Sequence, residues 1–218
     1  MEEIKYDFIA VEGIIGTGKT TFVEKLCADI GGTPVLEQFS ENPFLPLFYE
    51  DPKRHAFTLE TSFLTDRYTQ MKEKLSTTQL FPPCVSDYIL EKSSLFAQVN
   101  LTNQELHLFR KIVSLMMDSL PKPDLVFYLY KEPAKAKEQI LMRGRPYEKN
   151  IEISYLESVQ HAYMNFFKQN TLQKTVVVDT TNLDFVQNPS HYEYLQSLLR
   201  ANYKSGITRI IPEFTHGN

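Results

Sequence analysis

Residues 8–20 read Phe-Ile-Ala-Val-Glu-Gly-Ile-Ile-Gly-Thr-Gly-Lys-Thr, and the fold turns on how this stretch is read. Phe8 to Val11 is a short, partly β-branched apolar run, which predicts a strand. From Lys19 onward, Phe22, Val23, Leu26 and Ile30 recur at helical spacing, and Gly31-Gly32 supplies a stop. Between strand and helix lie Gly13-Ile14-Ile15-Gly16-Thr17-Gly18-Lys19-Thr20, which fits G-x-x-x-x-G-K-[ST] in the setting that this motif requires. Glycines let backbone N–H groups converge on phosphate oxygens, and the helix N-terminus adds partial positive charge. Residues 13–20, with Thr21 beside them, are therefore the candidate contacts to a nucleoside triphosphate. Lys19 is placed to reach the terminal phosphates, and Thr20 to ligate Mg²⁺.

Working outward, further strands are expected at 34–37, 84–86, 125–130 and 176–179. Helices are expected at 43–50, 54–75, 88–98, 103–119, 133–143, 152–169 and 190–201. Strands alternating with helices predict an α/β fold, here a five-stranded parallel sheet with helices on both faces, in one domain over 1–218. The Gly/Pro/charge-rich segment around 143–150 is the candidate lid, and a polar tail from about 203 is expected to be loosely held.

With a net charge of -4 there is no bulk basic field to hold a nucleic acid polymer, whereas a small anion needs only local positive charge. Two cysteines, Cys27 and Cys84, read as reduced thiols rather than a metal pair. No apolar run approaches the ~18 residues of a membrane span. The acidic start Met1-Glu2-Glu3 lacks a signal peptide's basic and apolar regions, so the expectation is a soluble cytoplasmic protein. The five histidines show no ligand spacing. The Asn-Lys-x-Asp guanine signature of GTP-binding switches is absent, and the short strand ending in Asp87 is unlike that of the large ATP-driven machines.

Four groups of residues could carry chemistry. Glu37, at the end of the second strand, faces the crevice at the carboxyl edge of a parallel sheet, where a carboxylate can accept or orient a hydroxyl proton. Asp87, ending the third strand, can hold Mg²⁺ or cap the next helix. Arg143 and Arg145 flank Gly144 in the lid and can neutralise a transferring phosphoryl group. Asp184-Phe185, after the last strand, can border the donor's base.

Taken together, the segment 8–20, Glu37 before Glu41-Asn42-Pro43-Phe44-Leu45, Phe48-Tyr49-Glu50, Leu59-Glu60 through Arg67-Tyr68, Ser86-Asp87-Tyr88, Arg143-Gly144-Arg145-Pro146-Tyr147-Glu148 and Asp184-Phe185 resemble the deoxyribonucleoside kinase family, most closely its bacterial deoxyguanosine kinase branch. The likeness runs from about residue 6 to 200. It implies a kinase with a P-loop fold, using ATP and Mg²⁺ on a deoxynucleoside and assembling as a homodimer through helices such as 54–75 and 103–119. It implies Glu37 as base for the 5′-hydroxyl, and Tyr49 with Glu148 at the sugar 3′-hydroxyl. Glu60 and Arg67 fall on the base-reading helix. Asp87 is the acid of an acid-Arg-Ser motif, Arg143 and Arg145 are lid arginines, and Asp184 with Phe185 lies near the donor base. Phe96 joins the candidate substrate contacts. The sequence departs from the pattern at Tyr88 and Gln139, where the family often has arginine, and Lys92 is placed to supply the missing charge. It departs again at Glu60, where many members have glutamine.

Glu60 bears on substrate choice. A carboxylate only accepts hydrogen bonds, and guanine offers two adjacent donors, N1–H and the 2-amino group. Arg67 can donate to O6 or N7. Deoxyguanosine is thus favoured, with deoxyadenosine or a broader range as the nearest rival; internal pairing of Glu60 with Arg67 is the competing reading. A nucleoside monophosphate kinase and a non-catalytic nucleotide-binding subunit are the alternatives of other kinds.

Overall fold

The computed structural model describes residues 4–39, 42–77, 83–117 and 119–213. Glu41, Asp118 in the expected 103–119 helix, and the end of the tail lie outside them. The elements are β1 (Phe8–Glu12), α1 (Lys19–Ile30), β2 (Thr33–Val35), α2 (Phe44–Glu50), α3 (Pro52–Thr77), β3 (Cys84–Ser86), α4 (Glu91–Asn100), α5 (Asn103–Met117), β4 (Leu125–Tyr130), α6 (Pro133–Arg143), α7 (Ile153–Gln169), β5 (Lys174–Asp179), α8 (Pro189–Leu198) and β6 (Gly206–Ile210).

All strand pairs are parallel, in the order β2-β3-β1-β4-β5-β6. Period-2 alternation divides the side chains between two cores. Ile9, Val11, Leu125, Phe127, Leu129, Val176 and Val178 face one core with Phe22 and Leu26 of α1 and Leu195 of α8. Ala10, Val126, Tyr128 and Val177 face the other, with Ile140 of α6 and Leu156, Val159, Tyr163 and Phe167 of α7. The apolar side of α3 expected from Leu64 and Met71 packs with α4 and α5 in a third cluster. Because these strands are buried on both faces they read as continuous apolar runs rather than alternating ones.

Among the described residues the sheet has six strands, not five. The tail expected to be loose forms β6, which pairs with β5 from Gly206 to Ile210, and Tyr203 N–H donates to the Tyr6 hydroxyl at 3.2 Å. β2 ends at Val35, so Glu37 lies two residues beyond the strand rather than at its last position. The lid segment carries a single 3₁₀ turn, Pro146–Glu148. The order places β1 between β3 and β4, where the chain switches direction across the sheet, and the loop after β1 opens at that switch point.

Candidate active site

The loop after β1 is cradle-shaped because two of its glycines adopt backbone that other residues resist. Gly16 and Gly18 have φ of 88° and 86°. A Cβ at Gly16 would meet the Ala136 carbonyl oxygen at 2.5 Å, and one at Gly18 would meet Phe185 Cζ at 2.8 Å. Lys19 curls across the loop, its Nζ donating to the carbonyls of Gly13 at 2.9 Å and Ile14 at 3.0 Å. Burial, with Lys92 nearby, lowers the Lys19 ammonium to about 8 against the pull of Glu12, Asp87 and Glu37.

A cavity of about 290 Å³ runs from this loop to the helices. Ile15, Gly16, Gly18, Lys19, Thr20 and Thr21 line it at this loop, while Gly13, Ile14 and Thr17 do not border it; the Ile14 side chain belongs to the α6–α7 core. All eight candidate substrate contacts, Glu37, Tyr49, Glu60, Arg67, Asp87, Lys92, Phe96 and Glu148, line the same cavity, as do Arg143 and Arg145.

Glu37 is held at both oxygens. Arg67 Nε donates to Oε1 at 2.6 Å with Nη2 at 2.5 Å, and Lys92 Nζ donates to Oε2 at 2.7 Å. Burial pushes this carboxyl up, but the two cations outweigh it and hold it at about 2. Tyr88, where the resemblance leads one to expect arginine, is fully buried, with its hydroxyl donating to Gln70 Oε1. Gln139 is exposed on α6. Arg67 Nη1 also donates to Ser93 Oγ at 2.7 Å.

Asp87 does not cap α4. Its Oδ1 accepts the Glu37 N–H at 2.8 Å and its Oδ2 accepts the Thr20 hydroxyl at 2.5 Å, so it ties the phosphate loop to the segment carrying Glu37. A hydroxyl and a carboxylate at the lip of the cradle are hard oxygen donors of the kind that suit Mg²⁺. Arg143 Nη2 and Arg145 Nη1 both donate to Glu148, at 2.5 Å and 3.2 Å, and the Arg145 guanidinium lies 3.9 Å from the Phe39 ring centroid. Tyr49 stacks on Tyr147 with centroids 5.8 Å apart.

Glu60 is 2% exposed. It makes no ion pair with Arg67; its Oε1 accepts from Asn100 Nδ2 at 2.6 Å, and its Oε2 has no partner. Burial pushes the carboxyl up to about 7 although Asn100, Arg67 and Lys92 pull it down. A folded-state carboxyl raised above its usual 4.5 contributes stability below that value and loses it as the pH climbs through about 7. Relative to Glu60→Gln, the native protein therefore loses on the order of 3 kcal/mol between acid and alkaline pH. Melting temperatures at pH 5 and pH 8 check this: the variant gains on the native protein as pH rises, and a constant difference would contradict it.

Asp184 and Phe185 do not border this cavity. Phe185 is buried behind the cradle, edge-on to Phe22, and Asp184 Oδ1 accepts the N–H groups of Val186 and Gln187 in a turn. The sequence reading missed Asn100, Tyr155 and Glu12. Glu12 is fully buried, taking the Ile89 N–H at 2.9 Å and the Tyr163 hydroxyl at 2.8 Å, and it braces the base of the loop. Its only signal was a carboxylate in an otherwise apolar strand.

Among known proteins, the chain is 37% identical to a deoxyguanosine kinase of Bacillus subtilis (strain 168) over 196 residues, covering 85% of this chain and 92% of that one. It is 27% identical to a deoxyadenosine kinase of Dictyostelium discoideum, covering 90% and 79%. A solved structure of a deoxyadenosine kinase from M. mycoides with bound dATP superposes with a TM-score of 0.77 at 26% identity, covering 89% of this chain and 99% of that one. The family model described as deoxynucleoside kinase matches residues 9–202. Cradle, cavity and relatives agree: the chain belongs to the deoxynucleoside kinase family and is an ATP-dependent phosphotransferase.

Proposed function

We propose that the protein transfers the γ-phosphoryl group of ATP–Mg²⁺ in line to the 5′-hydroxyl of a purine deoxynucleoside, with deoxyguanosine favoured. The observation that carries this reading is the joining of the cradle loop, the clamped Glu37 and Glu60 with its unpartnered oxygen around one cavity. Glu37, kept ionised, accepts a hydrogen bond from the 5′-hydroxyl and aims its oxygen at the phosphorus. Held at about 2, it orients the hydroxyl more than it strips the proton. Lys19, Arg143 and Arg145 offset charge on the transferred group, the arginines leaving Glu148 as the lid segment closes and excludes water. Thr20 and Asp87 would hold Mg²⁺, which when bound neutralises charge on the donor phosphates.

Tyr49 and Glu148 take the sugar 3′-hydroxyl, and Phe96 lies against the base. Of the five N–H groups of Arg67, those not committed to Glu37 and Ser93 serve O6 or N7 of guanine, while Glu60 takes N1–H and the 2-amino group. The similarity to both deoxyguanosine and deoxyadenosine kinases supports a purine and leaves deoxyadenosine as the second reading. Asp184 and Phe185 act on the donor side by supporting the cradle at Gly18. Residues 1–218 work as one domain, and two copies pair through α3 and α5, where Leu108 and Leu115 are exposed.

The test is to offer purified protein and ATP–Mg²⁺ either deoxyguanosine or its 5′-monophosphate. Phosphorylation of the nucleoside alone is expected. Transfer to the monophosphate instead would replace this reading with a monophosphate kinase.

A further inference from the structure

Glu60 lines the cavity from α3, with one carboxylate oxygen tied and the other buried without a partner. Asn100, at the end of α4, donates to Oε1 at 2.6 Å and also approaches the Tyr155 hydroxyl of α7 at 3.2 Å. Oε2 is buried and has no partner. An orphaned oxygen at a ligand cavity costs free energy unless a ligand satisfies it, so it marks the point at which the base is read.

The chemistry of that oxygen depends on one proton. Ionised, the carboxyl presents two acceptors, which match the adjacent N1–H and 2-amino donors of guanine. Protonated, it presents one O–H donor beside one acceptor, the arrangement of a glutamine amide. That form matches adenine, whose N1 accepts and whose 6-amino group donates. Each base leaves a buried polar atom unpaired against the wrong form, which is the kind of mismatch that discriminates strongly.

We propose that Glu60 selects between purines through its protonation state, taking guanine when ionised and adenine when protonated, with Asn100 as the positioning residue that fixes which oxygen faces the base. The proposal rests on the cavity being the purine nucleoside site.

The groups around Glu60 place the switch in an accessible range. Arg67 on the same helix and Lys92 on α4 favour the ionised form, Glu37 beyond β2 opposes it, and Tyr155 on α7 is a neutral phenol that burial pushes well above its usual range. Arg67 and Lys92 are already bound to Glu37, so burial is left as the dominant influence, and it holds the carboxyl near neutrality. Glu37, at about 2, stays ionised throughout. Any titration of Lys19 affects both substrates alike and cancels in their ratio.

The test is kcat/KM for deoxyguanosine and for deoxyadenosine with saturating ATP–Mg²⁺, from about pH 6 to about pH 8.5. If each base requires its own form, the deoxyguanosine-to-deoxyadenosine ratio rises about tenfold per pH unit. Glu60→Gln is expected to flatten the ratio and place it on the deoxyadenosine side. Asn100→Ala, which removes a donor that favours the ionised form, is expected to keep the slope and shift the line toward deoxyadenosine at every pH. A flat ratio in the native protein with both substrates turned over, or an undiminished slope in Glu60→Gln, overturns the proposal alone. Absence of phosphorylation of either purine at every pH overturns both the proposal and the reading of the cavity on which it rests.

Discussion

Replacing Glu37 by glutamine is expected to lower kcat by at least about 10², because the 5′-hydroxyl loses the charged acceptor proposed to aim it at the phosphorus. The amide keeps the shape of the side chain but removes the charge that Arg67 and Lys92 enclose. Two buried cations then repel each other without an anion between them, so stability falls as well, by about 3–5 kcal/mol if the triad behaves as other broken buried pairs do. The carboxyl is depressed from 4.5 to about 2, so its stabilising contribution is present above pH 4.5 and is lost only as the pH falls toward 2. Steady-state rates on the folded variant, with its melting temperature measured alongside, check both effects. Turnover within a few-fold of the native protein would remove Glu37 from the reaction.

Lys19→Met carries the second large effect, a fall in kcat/KM of about 10³ or more, because a preorganised cation aimed at developing phosphoryl charge acts most strongly in the transition state. The Lys19 ammonium is already poised by Glu12, Asp87 and Glu37 against burial, and methionine fills its volume without its charge. The proposed nucleoside contacts Glu60, Tyr49 and Phe96, which line the same cavity, keep their polar groups, so deoxynucleoside affinity measured by calorimetry is expected to change little. Loss of nucleoside binding in step with activity would mean that Lys19 supports the fold of the cavity rather than the transfer.

The parts of this site that could be read from sequence are those made by neighbours in the chain. The helix beginning at Lys19 has the bounds its spacing predicts, and β4, buried on both faces, announces itself as an unbroken apolar run. β6 escaped notice because it is an edge strand in which only Ile207 and Ile210 pack inward among polar residues. Glu37 and Lys92 were recognisable as candidates, but their contact spans 55 positions, and that of Glu60 with Asn100 spans 40. No local pattern encodes such pairs; they follow from the way α4 packs against the segment after β2 and against α3. Glu12 and Tyr163, joined across 151 positions, are further still from anything that spacing could suggest.

Initial rates with ATP–Mg²⁺ for the four common deoxynucleosides, with guanosine as the ribose control, test the central claim most directly. The expected result is phosphorylation of the purine deoxynucleosides, deoxyguanosine fastest at pH 8, with guanosine poor, as the proposed contacts of Tyr49 and Glu148 with the sugar 3′-hydroxyl require. Preference for a pyrimidine, or no turnover of any of the four, would contradict it.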